Sequence, residues 1–395
     1  MRVALINNMN NCFFAIARHL RDRGIDAHLF VQKDIPEHFH PSADTFDDSY
    51  KNYTHYYEWS GIDDLKETYI DTIRKDMEGY DFLIGCGDVP AFMRMAGLKL
   101  DLFIPYGADM FYLPFFQFTH PKRILKILKL MKYQKQGIND TDALWFEPSH
   151  NLEFYSKKIG YDRKIISSTI PIIYHKKDVD LTTATQSEKK LIHQFKNIRE
   201  NNEIVIFHHS RHCWRDTREF ISLKANNLLF EGLREFIDEY DDIKVKVITF
   251  EYGPDVDDSK TLIEKLGLEK NVSWFPKISR KILLQGIQLS DIGVAELYHS
   301  FLTYGAIGEF MACEVPVFAK RDDHLYNDQY PDLYPIYHAD TVSEIKEALI
   351  EYIKNKSVSH KNSVGHKGYL WFQKHMIDTP VNKLIQLIEH KNKDK

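Results

Sequence analysis

Asp291-Ile-Gly-Val-Ala-Glu296, then Leu297 to Gly305, then Glu309-Phe-Met-Ala-Cys313 and Val315-Pro-Val-Phe-Ala319 form one continuous stretch. They read as a buried strand, a polar-aromatic turn, a helix and a second strand. In a parallel sheet this order puts the turn at the carboxyl edge of the first strand, where ligands sit, and aims the next helix's N-terminus at it. Unpaired N–H groups and the positive helix end both favour an anion such as a diphosphate. Glu309 falls about one turn into that helix, where a carboxylate either accepts hydroxyl hydrogen bonds from a bound ribose or is merely solvated.

The same pattern recurs outward in both directions. Arg2 to Ile6, Ala27 to Val31, Asp81 to Cys86, Asp101 to Pro105, Ala143 to Phe146 and Lys164 to Ser167 are short apolar runs in the first half. Glu203 to His209, Ile243 to Phe250 and Asn271 to Phe275 continue it in the second. Helical periodicity at Phe13 to Arg23, Ser259 to Leu266, Val342 to Lys354 and Trp371 to His390 completes an α/β chain of doubly wound type. The polar run Tyr174 to Ser187 reads as a linker. The expected domains are 1–175, 176–370 and a C-terminal helix, 371–395, packing back across the junction.

At 395 residues the chain is long for one core, and 43% hydrophobic with 28% charged residues describes a soluble globular protein. A net charge of −5 speaks against general nucleic-acid binding. Cys12, Cys86, Cys213 and Cys313 are far apart without metal-ligand spacing, so neither a disulfide nor a structural zinc is expected. No window holds about 18 uncharged apolar residues, and the expected location is cytoplasmic.

Loop chemistry supplies the candidate site. Arg211, after the run ending at His209, and Lys224, near the next helix, are two cations converging on one rim. Such a pair stabilises charge building on a leaving diphosphate. Phe275, Lys277 and Ile278 close a strand and are placed to flank a base. Asn10 and Asn11 stand in the first loop where glycines would cradle a pyrophosphate; their amides suit sugar hydroxyls, or simply turn geometry. Asp88 and Asp109 end two further strands and are candidates for the acceptor hydroxyl, or for turn and cap duty.

Residues 111–136 are aromatic and then basic. Phe111, Tyr112, Phe115, Phe116 and Phe118 precede a helix with Lys122, Lys126 and Lys129 on one face and Ile124, Ile127, Leu128 and Met131 on the other. It reads either as a peripheral element on an anionic membrane or as a helix burying its apolar face.

The second half resembles the donor domain of GT-B-fold glycosyltransferases, most of all the retaining family-four enzymes that use nucleotide sugars. The likeness rests on Ser210-Arg211 with Lys224, on Leu266-Gly-Leu-Glu-Lys-Asn-Val272, and on Gly308-Glu-Phe-Met-Ala-Cys-Glu-Val-Pro-Val317. It implies two Rossmann-like domains facing across a cleft, and sugar transfer with retention to a glycan or lipid-linked hydroxyl in surface polysaccharide synthesis. The implied donor is a UDP- or GDP-sugar, with no cofactor and no metal. By position it assigns Arg211 and Lys224 to the diphosphate, Glu309 to the ribose, and the Thr303, Tyr304, Gly305 and Ala306 backbone to phosphate or sugar. This chain departs from the pattern at Phe301, where a second glutamate is usual, and at Ala225 and Glu314, where glycine is usual. Two rival expectations are a nucleotide-sugar 2-epimerase using His208, His209 or His212, and a silent GT-B subunit that binds a partner enzyme.

Overall fold

The computed structural model describes residues 1–115, 121–147, 150–215, 222–300, 305–328, 330–356 and 359–393. Two compact units compose the chain. Unit 1 is Met1–Tyr174 with His375–Lys395, and unit 2 is His175–Lys374.

Unit 1 is built on seven strands: β1 (Arg2–Ile6), β2 (Asp26–Gln32), β3 (Thr54–Tyr57), β4 (Phe82–Gly85), β5 (Leu102–Phe103), β6 (Ala143–Phe146) and β7 (Lys164–Ser167). Their order is β3-β2-β1-β4-β5-β6-β7 and every pairing is parallel. Val3 to Ile6 are fully buried because helices cover both faces, which is why β1 reads as an unbroken apolar run. Order reverses between β1 and β4, so the loops after these strands diverge and leave a crevice at the carboxyl edge.

Unit 2 repeats the plan with β8 (Ile204–His208), β9 (Val245–Phe250), β10 (Val272–Phe275), β11 (Ile292–Val294), β12 (Val317–Ala319) and β13 (Tyr337–His338). The order is β10-β9-β8-β11-β12-β13, again all parallel, with its reversal between β8 and β11. The helix Gly305–Ala312 lies directly on β11: a Cβ at Gly293 would come within 2.3 Å of the Phe310 ring. Only glycine permits that approach, and it draws the start of the helix over the crevice.

Several expectations change. The stretch Pro36 to Gly61, in which the sequence suggested no strand, contains the edge strand β3 and buries Phe46, Tyr50, Tyr57 and Trp59. Aromatic residues interrupted by histidine and aspartate hid its alternation. The long helix expected over Trp371 to His390 is two helices, Val364–Phe372 and Thr379–Lys393, joined by a π segment at Gln373–Asp378. Pro380 lacks the N–H that a continuous ladder needs, and the π segment directly precedes it. Among the described residues, no helix is long and apolar enough to cross a membrane.

Candidate active site

In unit 2 the loops after β8 and β11 are neighbours because the strands are, with His208 paired to Val294. The Ser210 hydroxyl donates to the Ala295 carbonyl at 3.2 Å, and His209 Nε2 meets Glu309 Oε2 at 2.8 Å. Arg280 Nε lies 2.9 Å from the other oxygen, Glu309 Oε1. Glu309 is buried, which by itself raises a carboxyl pKa; the His209 hydrogen bond and the Arg280 charge outweigh this and hold it below its ordinary value. The carboxylate is therefore ionised and oriented, with one protein partner on each oxygen. His209 Nδ1 is buried and has no hydrogen-bond partner among the described residues.

Beneath the loop lies a neutral network. His208 Nδ1 meets Thr249 Oγ1 at 2.8 Å, His212 Nε2 meets the same hydroxyl at 3.0 Å, and His212 Nδ1 meets Ser259 Oγ at 2.9 Å. Burial pushes the His212 pKa down to about 4 and holds that of His208 well below its usual range. Asp255 stands at the N-cap of the helix Val256–Lys265, but its side chain accepts the N–H groups of Trp214 and Arg215 at 2.6 and 2.8 Å. The β8 loop is thus pinned at both ends, and Arg211 projects from a rigid base. Arg211 is half-buried and makes no ion pair or side-chain hydrogen bond among the described residues.

Lys224 corrects the two-cation expectation. It precedes its helix, Asn226–Glu239, and its ammonium pairs with the carboxylate of Glu296, both side chains being buried. Glu296 also accepts the N–H of Tyr298 at 3.2 Å. Two buried opposite charges neutralise one another, so of the two expected cations Arg211 is the one left without an acid among the described residues.

In unit 1 a cavity of about 510 Å³ opens at the β1/β4 reversal, lined by Asn7, Met9, Asp88, Tyr106, Phe115 and Leu130 among others. Asp88 accepts the Gly61 N–H at 2.6 Å, and burial raises its pKa. Asp109 does not reach the cavity. It is fully buried and accepts N–H groups from Gly87 at 2.9 Å, Gly107 at 2.9 Å and Tyr106 at 3.1 Å. Burial pushes its pKa up to about 7 against those hydrogen bonds, and the side chain staples two loops together rather than facing an acceptor.

The remaining expected residues divide. Gly305 begins its helix with open space where a Cβ would be, and Ala306 beside it is buried. Thr303 and Tyr304 lie outside the described residues, as do Phe301, Phe116 and Phe118. Phe275 is a core ring stacked near Phe195 at 4.9 Å, not a wall for a base. Lys277 is exposed, its ammonium 5.0 Å from the Tyr252 ring centroid, and Ile278 is half-buried. Asn11 is buried, its amide bonded to the carbonyls of His38 and His40, so it ties loops instead of reaching for sugar. Asn7, Asn10 and Asn11 all have positive φ, a conformation asparagine tolerates better than other non-glycine residues, and this replaces the missing glycines; Asn10 is exposed. His209, Arg280, Glu296 and Asp88 complete the two rims. Of these, Asp88 and His209 stand among the sequence candidates, whereas Arg280 and Glu296 have no role there.

No protein-family model and no curated protein matches the chain by sequence. Solved structures do match in three dimensions. HepE of Anabaena in complex with UDP-glucose aligns over 100% of both chains with a TM-score of 0.59 at 13% identity. A glycosyltransferase from Rickettsia africae aligns over 100% of this chain and 99% of its own, with a TM-score of 0.60 at 12% identity. Sucrose-phosphate synthase from Thermosynechococcus elongatus covers 100% of both chains with a TM-score of 0.58 at 12% identity. The fold is GT-B. Within this GT-B chain each unit carries its own switch-point crevice, the charged one in unit 2 and the aromatic one in unit 1.

Proposed function

We propose that the protein is a glycosyltransferase that moves a sugar from a nucleotide-sugar donor to an acceptor hydroxyl. The observation that carries this reading is Arg211, a half-buried guanidinium with no acid partner among the described residues, on the loop that follows β8 at the switch point of unit 2, next to Ser210, whose hydroxyl reaches the loop after β11. A guanidinium and a helix N-terminus together suit a diphosphate, and they stabilise the charge that grows on it as the sugar bond breaks. Glu309 is positioned by His209 and Arg280 so that its remaining lone pairs can take ribose hydroxyls. HepE, solved with UDP and with UDP-glucose, supports a uridine nucleotide as the first donor class to examine.

The finer reading is transfer with retention, without a divalent metal at the diphosphate, onto a glycan or lipid-linked acceptor seated in the unit 1 cavity. Asp88, rather than Asp109, faces that acceptor. The protein would act at the cytoplasmic face of a membrane in surface polysaccharide synthesis. The exposed side of the helix Ile124–Asp140, with Leu125, Leu128, Lys132 and Lys135, is the surface for that contact. Lys126 and Lys129, two of the cations expected to face a membrane, are engaged by Asp63 and the Leu65 carbonyl at 2.7 and 2.9 Å, and Arg123 also pairs with Asp63. The epimerase reading loses His208 and His212 to the buried network, which leaves His209 as its one histidine.

The test is a thermal-unfolding screen with nucleoside diphosphates, followed by donor incubation with and without acceptor sugars. Stabilisation by one diphosphate and acceptor-dependent release of it are expected. No stabilisation by any diphosphate would remove the proposed site.

A further inference from the structure

Glu314, His360 and His366 belong to unit 2, on the turn that ends the helix Gly305–Ala312 and on the segment that follows residue 358. His366 Nδ1 is 3.2 Å from Glu314 Oε1, and His360 Nε2 is 3.5 Å from Glu314 Oε2. All three ligand atoms fall within 4.8 Å of one another. Donors bound tetrahedrally at ~2.0–2.1 Å from one ion stand roughly 3.3 Å apart, so three donor atoms already within 4.8 Å of one another need to draw in by about 1.5 Å at most to reach that geometry. Two imidazoles and one carboxylate are the donor set that a borderline cation such as zinc prefers.

The backbone holds the donors in place before any ion arrives. Ser363 caps the helix Val364–Phe372 by accepting the N–H of His366, and its hydroxyl donates to the His360 carbonyl at 2.7 Å. One residue therefore positions both histidines. Gly365 lets that helix approach the turn, since a Cβ there would lie 2.2 Å from the Glu314 carbonyl oxygen. Glu314 itself has φ of 61°, the left-handed conformation that glycine adopts freely and for which the resemblance leads one to expect glycine. A strained glutamate in that place puts a carboxylate between two histidines that glycine could not supply.

From this geometry we propose a divalent transition-metal site, of the zinc class, formed by Glu314, His360 and His366. It contains no cysteine, which is why cysteine spacing gave no sign of it. A fourth position is open to water. Lys177, whose ammonium is 3.4 Å from Glu314 Oε2 and whose side chain is largely exposed, swings aside when the ion enters. The ion would clamp the end of the helix that carries Glu309 to the helix Val364–Phe372, a stabilising role separate from sugar transfer.

The experiment uses the full chain, stripped with EDTA and titrated with cobalt(II) chloride, then zinc chloride. A saturable visible absorption at one equivalent, its displacement by zinc, and a raised thermal midpoint are expected. H360Q and H366Q should each abolish the absorption, and Lys177→Ala should tighten binding. His360 is surface-exposed, so H360Q with an unchanged midpoint in EDTA carries the test even if H366Q unfolds. No saturable absorption, or an unaltered one in H360Q, which would mean binding at other histidines only, overturns the proposal.

Discussion

Lys224 and Glu296 form an ion pair whose side chains are 9% and 0% exposed, at the foot of the crevice in unit 2. The pair joins the segment before the helix Asn226–Glu239 to the residues just past β11, and so ties together two loops at the carboxyl edge of the sheet. Removing one partner strands the other charge in a dry site. Lys224→Met should therefore lower the unfolding free energy by ~3–5 kcal/mol, and the double change with Glu296→Met should recover a large part of that loss. Urea denaturation of the single and double variants reads this directly. Equal stability of Lys224→Met and the unaltered protein would contradict the pairing.

Arg211→Ala should behave differently. With no acid partner to strand among the described residues, its loss should leave the unfolding midpoint nearly unchanged. Turnover of the donor should drop by roughly ten- to a thousand-fold, the range expected when a charge-stabilising group is removed. Steady-state kinetics beside a denaturation curve separate the two effects, and a variant that loses stability without losing turnover would show that the guanidinium is structural.

Asp109 and Asp88 should also part ways. Asp109→Ala deprives the N–H groups of Gly87, Tyr106 and Gly107 of their acceptor inside a buried loop junction, a cost of about 3 kcal/mol or more. Asp88→Asn keeps an acceptor for the Gly61 N–H but removes a carboxyl from the cavity. It should lower kcat/KM for the acceptor by roughly a hundred-fold with little change in stability. Acceptor kinetics at saturating donor decide it, and an unaffected Asp88→Asn enzyme would move the acceptor site elsewhere.

Stability should fall on mild acidification. The His212 pKa is lowered to about 4 by burial, as is that of His19 in unit 1, so between pH 6.5 and 4 the unfolded chain takes up protons that the folded one refuses. Each such histidine costs about 2 kcal/mol at pH 5 relative to neutrality. Asp109, raised to about 7, works in the opposite sense, because its folded carboxyl holds a proton that the unfolded chain has lost. His212→Asn isolates the histidine contribution: its unfolding free energy should vary by about 2 kcal/mol less between pH 6.5 and 5. An unchanged slope would mean that His212 is protonated when folded.

The central strands were legible because strands buried on both faces are apolar through their interiors, and β1, β4 and β8 carry polar residues only at an end, Arg2 in β1 and His208 in β8. The edge strands β3 and β13 were not, since a half-exposed strand of two to four residues mixes polar and aromatic side chains as a loop does. The places of Arg211 on the loop after β8 and of Gly305 and Glu309 on the helix after β11 were legible because loop position follows from strand order. Phe275 was misjudged for the converse reason: a residue ending a strand can turn inward to Phe195 as readily as outward to a ligand.

The sequence by itself determined the alternation of strands and helices, hence two parallel sheets and the edge on which ligands gather, because periodicity and burial are local properties of the chain. The tertiary structure decided which charged groups are already answered. Glu296 lies 72 residues beyond Lys224, and His209 a hundred before Glu309; Arg280 reaches Glu309 from a third element. Electrostatic pairing depends on distance in space and on exclusion of water, and neither quantity can be read along a chain.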